Sequence, residues 1–403
     1  MKVLQINISA NYGSTGRIAE SIGEYVLRNN DESFIAYGRN LNPSSSTLVK
    51  IGSKRDQLIH LIHSRLFDTH GFHSTNSTKR LVEKIKKINP DIIHLHNIHG
   101  YYIDVSVLFS YLKKWNKPVL WTLHDCWPFT GHCAYYERIG CTKWKSECYE
   151  CPLLHLYPAS LGNDNSKNNY KRKKAIFNGV SNMTIVTVSK WLEREVRQSF
   201  LGAYPIKTIY NGVDRNIFKP QNCSNEKQKI GISHKKIILG VANEWSEGKG
   251  LKVFFELSKF IDVDTVIVLI GLNEKQKRNL PSNVIGVSRT QSMDELAKYY
   301  AMADVFVTPS VAETFGMVVA EALSCGTPCV VNKSSALPEL VDSSVGFVVE
   351  NKTKYYMDAI NTVFRNGKDF YFLATQEKAA IFTKDRQLFE YYELYKKVIT
   401  KEI

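Results

Sequence analysis

Short apolar, β-branched segments alternate with longer amphipathic segments along most of the chain. In the first half, the segments that predict strands are Val3–Asn7, Ser33–Tyr37, Ile92–His96, Val119–Leu123 and Thr184–Val188. Between them, apolar residues recur at helical spacing near residues 17–28, 81–88, 105–114 and 191–199. Strands that alternate with helices in this way are typical of βαβ units and a mostly parallel sheet.

The same alternation resumes after a short strand at 205–212 and a polar, linker-like segment at 219–235. The later predicted strands are Ile237–Val241, Val266–Gly271, Val284–Val287, Val305–Thr308, Cys329–Val331 and Gly346–Val349. We therefore expect an α/β protein with two Rossmann-like, doubly wound domains that face an interdomain cleft. The predicted domains are residues 1–204 and 205–380, followed by a C-terminal helix in 381–403 that packs back on the first domain.

Composition is ordinary for a soluble enzyme, but the charge is not. The 403 residues carry a net charge of +14, which favours anionic partners such as phosphates or acidic lipid headgroups. Basic clusters at 84–87, 113–114 and 171–174 predict either such contacts or solvated helix faces. The chain has no apolar run of membrane-spanning length and starts directly with a strand. We expect a cytoplasmic protein, peripheral on the inner face of the cell membrane, and no nucleic-acid partner.

Two glutamates follow the predicted strand that ends at Thr308. Glu313 lies in the segment after this strand, and Glu321 lies eight residues later in a helix predicted from Phe315 to Ser324. Eight residues turn a helix through a little over two turns, so both carboxylates face roughly the same side. Ligands bind at the carboxyl ends of parallel strands, and carboxylates accept hydrogen bonds from hydroxyls. The segment predicts a site for a phosphorylated sugar; two solvated glutamates are the alternative.

A lysine occupies the loop after the first strand of the second domain. The segment from Gly240 to Gly250 contains Asn243 and Lys249 and leads into a helix. A lysine at this place can supply a point charge to a diphosphate. The alternative is a solvated surface lysine.

The first domain has further candidates at its strand ends. Gly13 and Gly16 follow the first strand and open a helix, where a ligand can approach the backbone closely; a plain tight turn is the alternative. His124 follows a later strand, where imidazole can donate a hydrogen bond to a sugar hydroxyl unless it is a core histidine. His94 and His96 share a strand face at a spacing that can bind a metal ion.

Five of the eight cysteines lie in one segment of the first domain, an insertion at about 126–152. Cys133, Cys141, Cys148 and Cys151 have the spacing C-x7-C-x6-C-x2-C. Because a reducing cytosol disfavours disulfides, a cluster that ends in C-x2-C predicts structural zinc, with reduced buried thiols as the alternative. We expect the insertion to fold around the metal and shape the acceptor side of the cleft.

Several segments together resemble retaining glycosyltransferase family 4, which has the GT-B fold. They are Ile209–Asp214 with Phe218–Pro220, the Lys249-Gly250 pair, and the two glutamates separated by seven residues. The cysteine insertion is similar to that of bacterial members that assemble capsule, exopolysaccharide or the O-antigen of lipopolysaccharide. The resemblance implies a nucleotide-sugar donor as co-substrate, a glycan or polyprenyl-diphosphate-linked acceptor, and no cofactor for catalysis.

The resemblance also implies roles for individual residues. Implied catalytic residues are Glu313 at the sugar hydroxyls, Lys249 at the donor diphosphate and His124 at the donor sugar. Implied donor-binding residues are Gly13, Gly16, Asn243, Val287, Ser288, Phe315, Gly316, Met317 and Glu321. Many family members carry an arginine five or six residues before the lysine, where this chain has Glu244 and Asn243. Arg289 and Arg17 are the candidates to replace it.

The expected reaction is metal-independent, front-face transfer in which the leaving phosphate takes the acceptor proton. Two alternatives remain from the sequence. One is another enzyme of the same architecture, a nucleotide-sugar epimerase or a phosphorylase. The other is a non-catalytic protein that binds anionic lipid or nucleic acid through its basic surface.

Overall fold

The computed structural model describes residues 1–402, which divide into two compact units. The first unit comprises Met1–Ile209 together with Leu388–Ile403, and the second comprises Tyr210–Gln387. Each unit is built on its own parallel sheet. Within residues 1–402, none of the helices has the length and apolar character needed to cross a bilayer.

In the described residues, a seven-stranded parallel sheet forms the centre of the first unit. Its strands are β1 (Lys2–Asn7), β2 (Glu32–Tyr37), β3 (Thr47–Lys50), β4 (Ile92–Leu95), β5 (Val119–Leu123), β6 (Met183–Thr187) and β7 (Ile206–Thr208). They are ordered β3-β2-β1-β4-β5-β6-β7, so the direction of winding reverses between β1 and β4. β4 and β5 are buried along their whole length, as expected for strands covered on both faces.

Helices connect these strands and cover the sheet. They are α1 (Gly13–Arg28), α2 (Lys54–Phe67), α3 (Thr75–Ile88), α4 (Val105–Leu112), α5 (Ser166–Phe177) and α6 (Lys190–Arg197). The cysteine-containing segment between β5 and α5 forms short 3₁₀ turns at Trp127–Phe129, Tyr136–Ile139 and Lys143–Lys145. The insertion is therefore an irregular segment at the carboxyl end of β5.

The second unit repeats the plan with a six-stranded parallel sheet in the described residues. Its strands are β8 (Lys236–Val241), β9 (Thr265–Ile270), β10 (Val284–Val287), β11 (Val305–Thr308), β12 (Cys329–Asn332) and β13 (Gly346–Val349). They are ordered β10-β9-β8-β11-β12-β13, and the winding reverses between β8 and β11. Ile238, Leu269, Val305 and Val330 form the centre of its core.

The helices of the second unit are mostly short. They are α7 (Ser224–Lys229), α8 (Leu251–Leu257), α9 (Glu274–Lys277), α10 (Met293–Met302), α11 (Met317–Ser324), α12 (Leu337–Leu340), α13 (Thr353–Asn366) and α14 (Lys368–Ala380). The last helix, α15 (Lys384–Thr400), continues into the residues of the first unit. There Leu388, Tyr391 and Tyr395 pack with Val3 and Ile92 in one apolar cluster.

The predicted fold class, two Rossmann-like parallel-sheet domains, is confirmed. Nearly every predicted strand appears within one residue of its predicted bounds. β3, α2 and α5 were not predicted: β3 has a single buried residue, α5 is mostly polar, and the apolar residues of α2 face solvent. The polar segment at 219–235 contains α7 rather than linker alone.

Candidate functional site

The candidate site of the second unit lies at the carboxyl ends of β8 and β11. These strands are neighbours in the sheet although β9 and β10 come between them in the sequence. The loops that leave them run in opposite directions across the sheet and so leave a crevice at this point. In open α/β sheets this crevice is the usual place for a ligand.

The loop after β8 is fixed against the end of β11. Gly250 has a φ of +76°, and a Cβ there would lie 2.6 Å from Pro309 Cγ, so no larger residue fits without a shift. The amide of Val311 donates to the carbonyl of Gly248 at 3.0 Å. Lys249 lies between these two glycines. The two contacts therefore place it at the switch point, where the winding of the sheet reverses between β8 and β11.

Lys249 and Glu313 are brought together there. Lys249 Nζ donates to Glu313 Oε1, joining the loop after β8 to the loop after β11. The Lys249 side chain is 36% exposed and that of Glu313 is 16% exposed, so the ion pair remains open to a ligand. The backbone amide of Glu313 donates to Ser335 Oγ at 2.8 Å, which ties it to the loop after β12 as well. Sequence reasoning missed Ser335.

The helix after Glu313 begins two residues later than predicted. Gly316 has a φ of +104°, which is outside helical geometry, so α11 starts at Met317 and not at Phe315. Phe315 is buried, and Met317 is partly exposed at the first helical position. Glu321 accepts a hydrogen bond from the hydroxyl of Tyr300 at 2.9 Å. The two glutamates therefore have different partners, although both belong to this segment.

The predicted base-binding residues lie farther along the sheet. Val287 ends β10, which is the edge strand two places from β8. Ser288 Oγ donates to Glu274 Oε1 and accepts from Lys277 Nζ, each at 2.9 Å. Asn243, in the loop after β8, is exposed.

In the first unit, Gly13 and Gly16 lie at the start of α1, directly after β1. Gly13 has a φ of +67° and open space around its Cα, whereas a Cβ on Gly16 would lie 2.7 Å from Ser9 Oγ. The amide of Asn11 donates to the carbonyl of Gly16 at 3.2 Å. Gly16 is thus required by close packing of the turn, and Gly13 by its backbone conformation.

His124 belongs to a buried hydrogen-bond chain that fixes its tautomer. Gln5 Nε2 donates to the Ala19 carbonyl at 2.8 Å, so Gln5 Oε1 must accept from His96 Nε2 at 3.0 Å. Burial holds the pKa of His96 well below its ordinary value, so it carries one proton and its Nδ1 accepts from His124 Nε2 at 3.2 Å. The Nε2 proton of His124 is therefore committed to His96, and its Nδ1 is an acceptor.

Because of this hydrogen-bond chain, His124 cannot be the hydrogen-bond donor to a sugar hydroxyl that the sequence predicts. Burial lowers the pKa of His124 to about 4, although Asp125 opposes the shift, so the ring is neutral near pH 7. A neutral ring with its proton on Nε2 can only accept at Nδ1.

His94 and His96 do not form the metal site that their spacing allowed. His94 contacts the Tyr395 hydroxyl at 2.6 Å and Thr122 Oγ1 at 2.8 Å, so both of its ring nitrogens have protein partners. His96 uses both nitrogens as well, towards Gln5 and His124. These histidines belong to the polar network of the core.

The predicted zinc site is not supported. Cys133, Cys141, Cys148 and Cys151 line one small cavity, but residues 1–402 contain no group of three or more His, Cys, Asp or Glu side chains arranged to hold a metal ion. The thiols have other partners: a hydrogen bond from Cys133 lowers the pKa of Cys151 to about 7, and the Gly131 amide donates to Cys148 Sγ. The four cysteines are free thiols, as in the alternative, but only Cys133 among them is buried.

Lys173, which belongs to the basic cluster at 171–174, is buried and contacts the cysteine insertion. It is fully buried, and its Nζ donates to the carbonyls of Trp127 at 2.8 Å and Thr130 at 3.1 Å. Burial lowers its pKa to about 7. The ammonium also lies 3.6 Å from the centre of the Trp127 ring. Lys173 therefore joins α5 to the start of the cysteine insertion instead of lying on a solvated face.

Two protein-family models match the chain, one in each half. Residues 43–216 match the family model described as "Glycosyltransferase Family 4", and residues 223–379 match "Glycosyl transferases group 1". The two models together cover most of the chain, which belongs to the glycosyltransferases that they describe. The glycosyltransferase is 23% identical over 374 residues to the putative colanic acid biosynthesis glycosyl transferase WcaC of Escherichia coli K12, covering 87% of this chain and 88% of the relative.

Solved structures with the same fold agree with the two-unit architecture of this glycosyltransferase. Sucrose-phosphate synthase from Thermosynechococcus elongatus superimposes with a TM-score of 0.73 at 16% identity, covering 99% of both chains. Anabaena HepE in complex with UDP and glucose gives 0.68 at 15% identity, covering 98% of this chain and all of the other. The predicted GT-B fold is confirmed by these similarities.

Further polar residues lie around His124 in this glycosyltransferase, and of these sequence reasoning missed Tyr157. Asp125 Oδ2 contacts His99 Nε2 at 2.8 Å, and His99 Nδ1 contacts the Tyr157 hydroxyl at 2.9 Å. The Trp127 amide donates to Asp125 Oδ1 at 3.0 Å. His99 follows β4 by only a few residues, and its position near a strand end was the available signal.

Proposed function

We propose that this glycosyltransferase moves a sugar from a nucleotide-sugar to a glycan acceptor, with retention of anomeric configuration. The observation that carries the proposal is the Lys249–Glu313 pair at the switch point of the second unit. It combines a cation, which can contact the diphosphate, with a carboxylate, which can accept hydrogen bonds from the sugar hydroxyls. The similarity to a colanic acid glycosyl transferase supports a role in surface polysaccharide biosynthesis.

Lys249 stabilises the leaving group in this proposal. Breaking the bond between a sugar and a diphosphate builds negative charge on the leaving oxygen, and a positioned cation stabilises that charge. In the structure Lys249 Nζ is held by Glu313. A bound diphosphate brings its own negative charge to Lys249, and Glu313 can then accept hydrogen bonds from the sugar hydroxyls.

The remaining donor contacts follow from the same arrangement. We assign the ribose hydroxyls to Glu321 and the base to the region of Val287 and Ser288. The backbone amides of Phe315, Gly316 and Met317 lie at the start of α11, where N–H groups suit oxygen atoms of the donor. His124 serves the donor sugar as an acceptor through Nδ1.

The acceptor is proposed to be a lipid-linked glycan on a polyprenyl diphosphate at the inner face of the cell membrane. The acceptor hydroxyl attacks on the same face as the departing diphosphate, and the leaving phosphate oxygen takes its proton. The anomeric carbon–oxygen bond to phosphate breaks as the bond to the acceptor oxygen forms. We expect turnover to persist in excess EDTA. If EDTA abolishes turnover and added Mg²⁺ or Mn²⁺ restores it, the reaction is not metal-independent.

Donor binding is tested by a thermal-shift screen of nucleotide-sugars. A ligand at 100 times its dissociation constant adds about 2.7 kcal/mol to the free energy of unfolding. For units of this size, we expect the correct donor to raise Tm by roughly 5–10 °C. No stabilisation by any nucleotide-sugar at millimolar concentration contradicts the proposal.

The reaction type is tested by product analysis. We expect free nucleoside diphosphate only when an acceptor is present, and NMR of the product should show the anomeric configuration of the donor sugar. Conversion of the donor to an epimer without acceptor indicates an epimerase instead. Dependence on inorganic phosphate as the attacking group indicates a phosphorylase.

A further inference from the structure

Helix α2 turns apolar side chains towards solvent and polar side chains towards the protein. His60 and Ser64 are 1% and 2% exposed. The outward residues are Leu58 (55% exposed), Ile59 (50%), Ile62 (46%) and Leu66 (42%). They follow the i, i+1, i+4, i+8 spacing of a single helix face. A surface helix of a globular protein normally has the opposite arrangement.

His60, on the inward side of α2, makes two hydrogen bonds that fix the orientation of the helix. His60 Nδ1 contacts Ser74 Oγ at 3.0 Å, and its Nε2 accepts from the Gly71 amide at 3.2 Å. At its start, Ser53 and Asp56 form a capping box. Rotating α2 to bury its leucines and isoleucines would break the two bonds of His60. The exposed apolar face is therefore a stable feature of the fold.

The apolar face continues beyond the helix. Leu161, from the segment before α5, is 71% exposed. The amide of Leu161 donates to the carbonyl of Arg65 at 2.7 Å, which holds Leu161 beside the end of α2. We define the α2 face as Leu58, Ile59, Ile62, Leu66 and Leu161. Contiguous exposed apolar patches of this kind mark interaction surfaces.

The charges around the α2 face favour an anionic partner. Lys54, Arg55 and Arg65 are exposed on the same helix. Its one acidic residue, Asp56, is occupied in the capping box with Ser53. The whole chain carries +14. An apolar face flanked by cations is the pattern of helices that lie in the interface of anionic bilayers.

We propose that the α2 face docks on an anionic lipid bilayer, with its leucines and isoleucines at the headgroup–acyl boundary and Lys54, Arg55 and Arg65 on the lipid phosphates. The proposal deepens the proposed function, because it gives an enzyme with a lipid-linked acceptor a surface that holds it at the membrane. It does not involve the Lys249–Glu313 pair.

The test is vesicle co-sedimentation of the full chain with phosphatidylcholine vesicles that contain or lack phosphatidylglycerol. We expect binding to the anionic vesicles, and the double variant Ile59→Ser, Ile62→Ser should weaken it about tenfold or more. Arg55→Gln and Arg65→Gln should each weaken it about fivefold. The matched control is Phe370→Ser, Leu373→Ser, which removes an apolar pair of 69% and 75% exposure from α14 and should leave binding unchanged.

Three results overturn the proposal. They are equal vesicle binding by the isoleucine variant and the wild type, loss of binding in the control variant instead, and a wild-type dimer in light scattering that the isoleucine substitutions convert to a monomer. A nucleotide-sugar thermal shift on the same variants keeps the two proposals separate. Donor stabilisation without vesicle binding refutes only the α2 face, whereas vesicle binding without donor stabilisation refutes only the proposed transferase.

Discussion

The Lys249–Glu313 ion pair gives the sharpest prediction, through a double-mutant cycle. The single variants are Lys249→Ala and Glu313→Gln, and the cycle is completed by the double variant. Removing the lysine leaves the Glu313 carboxylate beside the donor diphosphate without its cation. Removing the carboxylate leaves a free lysine for the diphosphate but deprives the sugar of its acceptor.

The structure sets different magnitudes for stability and for activity. Side chains that are 36% and 16% exposed form a partly screened pair, so we expect each substitution to cost about 1 kcal/mol of unfolding free energy or less. In Tm this is roughly 2–4 °C. Loss of a positioned group that stabilises transition-state charge costs on the order of 10²-fold or more in kcat. Residues that act as a unit are not additive, so the double variant should be little slower than the worse single variant.

The assay is initial-rate kinetics with donor and acceptor, together with thermal melts of each variant. Lys298→Ala is the matched control, because Lys298 pairs with Glu226 at 2.8 Å in the same unit, with side-chain exposures of 43% and 27%. We expect it to change Tm by a similar small amount and leave kcat/KM unchanged. If Lys249→Ala has the kinetics of Lys298→Ala, the assignment of the diphosphate to Lys249 is refuted.

Three further predictions test the local geometry. Gly250→Ala should lower the free energy of unfolding by about 2 kcal/mol and Tm by roughly 4–8 °C, because position 250 combines a positive φ with the Pro309 contact. Gly231 has a φ of +71° and open space around it, so Gly231→Ala should cost clearly less. Equal costs would contradict the Pro309 argument. Gln5→Met removes the acceptor of His96 Nε2, so the proton of His124 should no longer be held on Nε2 and kcat/KM should fall up to about tenfold. We expect ¹⁵N NMR to show His124 protonated on Nδ1; an unchanged tautomer would refute the hydrogen-bond chain. Because the folded-state pKa of His124 is about 4 and the unfolded value about 6.5, the unfolded chain binds more protons between these values, so stability is lost as the pH is lowered through this range. His124→Gln should therefore reduce the loss of unfolding free energy from pH 7 to pH 5 by about 2 kcal/mol in urea titrations, and an identical loss would place the pKa of His124 near its ordinary value.

The sheets were predictable because their strands are nearly continuous apolar runs bounded by turn residues. β4 and β5 are buried on both faces, so their sequences carry the signal without alternation. The orientation of α2 was not predictable by the same reasoning, because an apolar stripe at helical spacing is expected to face the core and this one faces solvent. Its outward face departs from the pattern, as α2 docking would require.

The candidate site was partly predictable from strand ends alone. Lys249 and Glu313 follow β8 and β11, but only the strand order shows that these strands are neighbours. The tautomer of His124 depends on Gln5 and His96, residues that come from two other strands and are far away in sequence. Lys173 stood among other basic residues, and its burial depends on the carbonyls of a segment that has no regular secondary structure signal.

The most direct test of the account is a crystal structure of the full chain with its nucleotide-sugar. We predict that diphosphate oxygens lie within hydrogen-bond distance of Lys249 Nζ at the ends of β8 and β11, and that Glu313 contacts a hydroxyl of the sugar. A diphosphate bound at any other part of the chain, with Lys249 still paired only to Glu313, would contradict it.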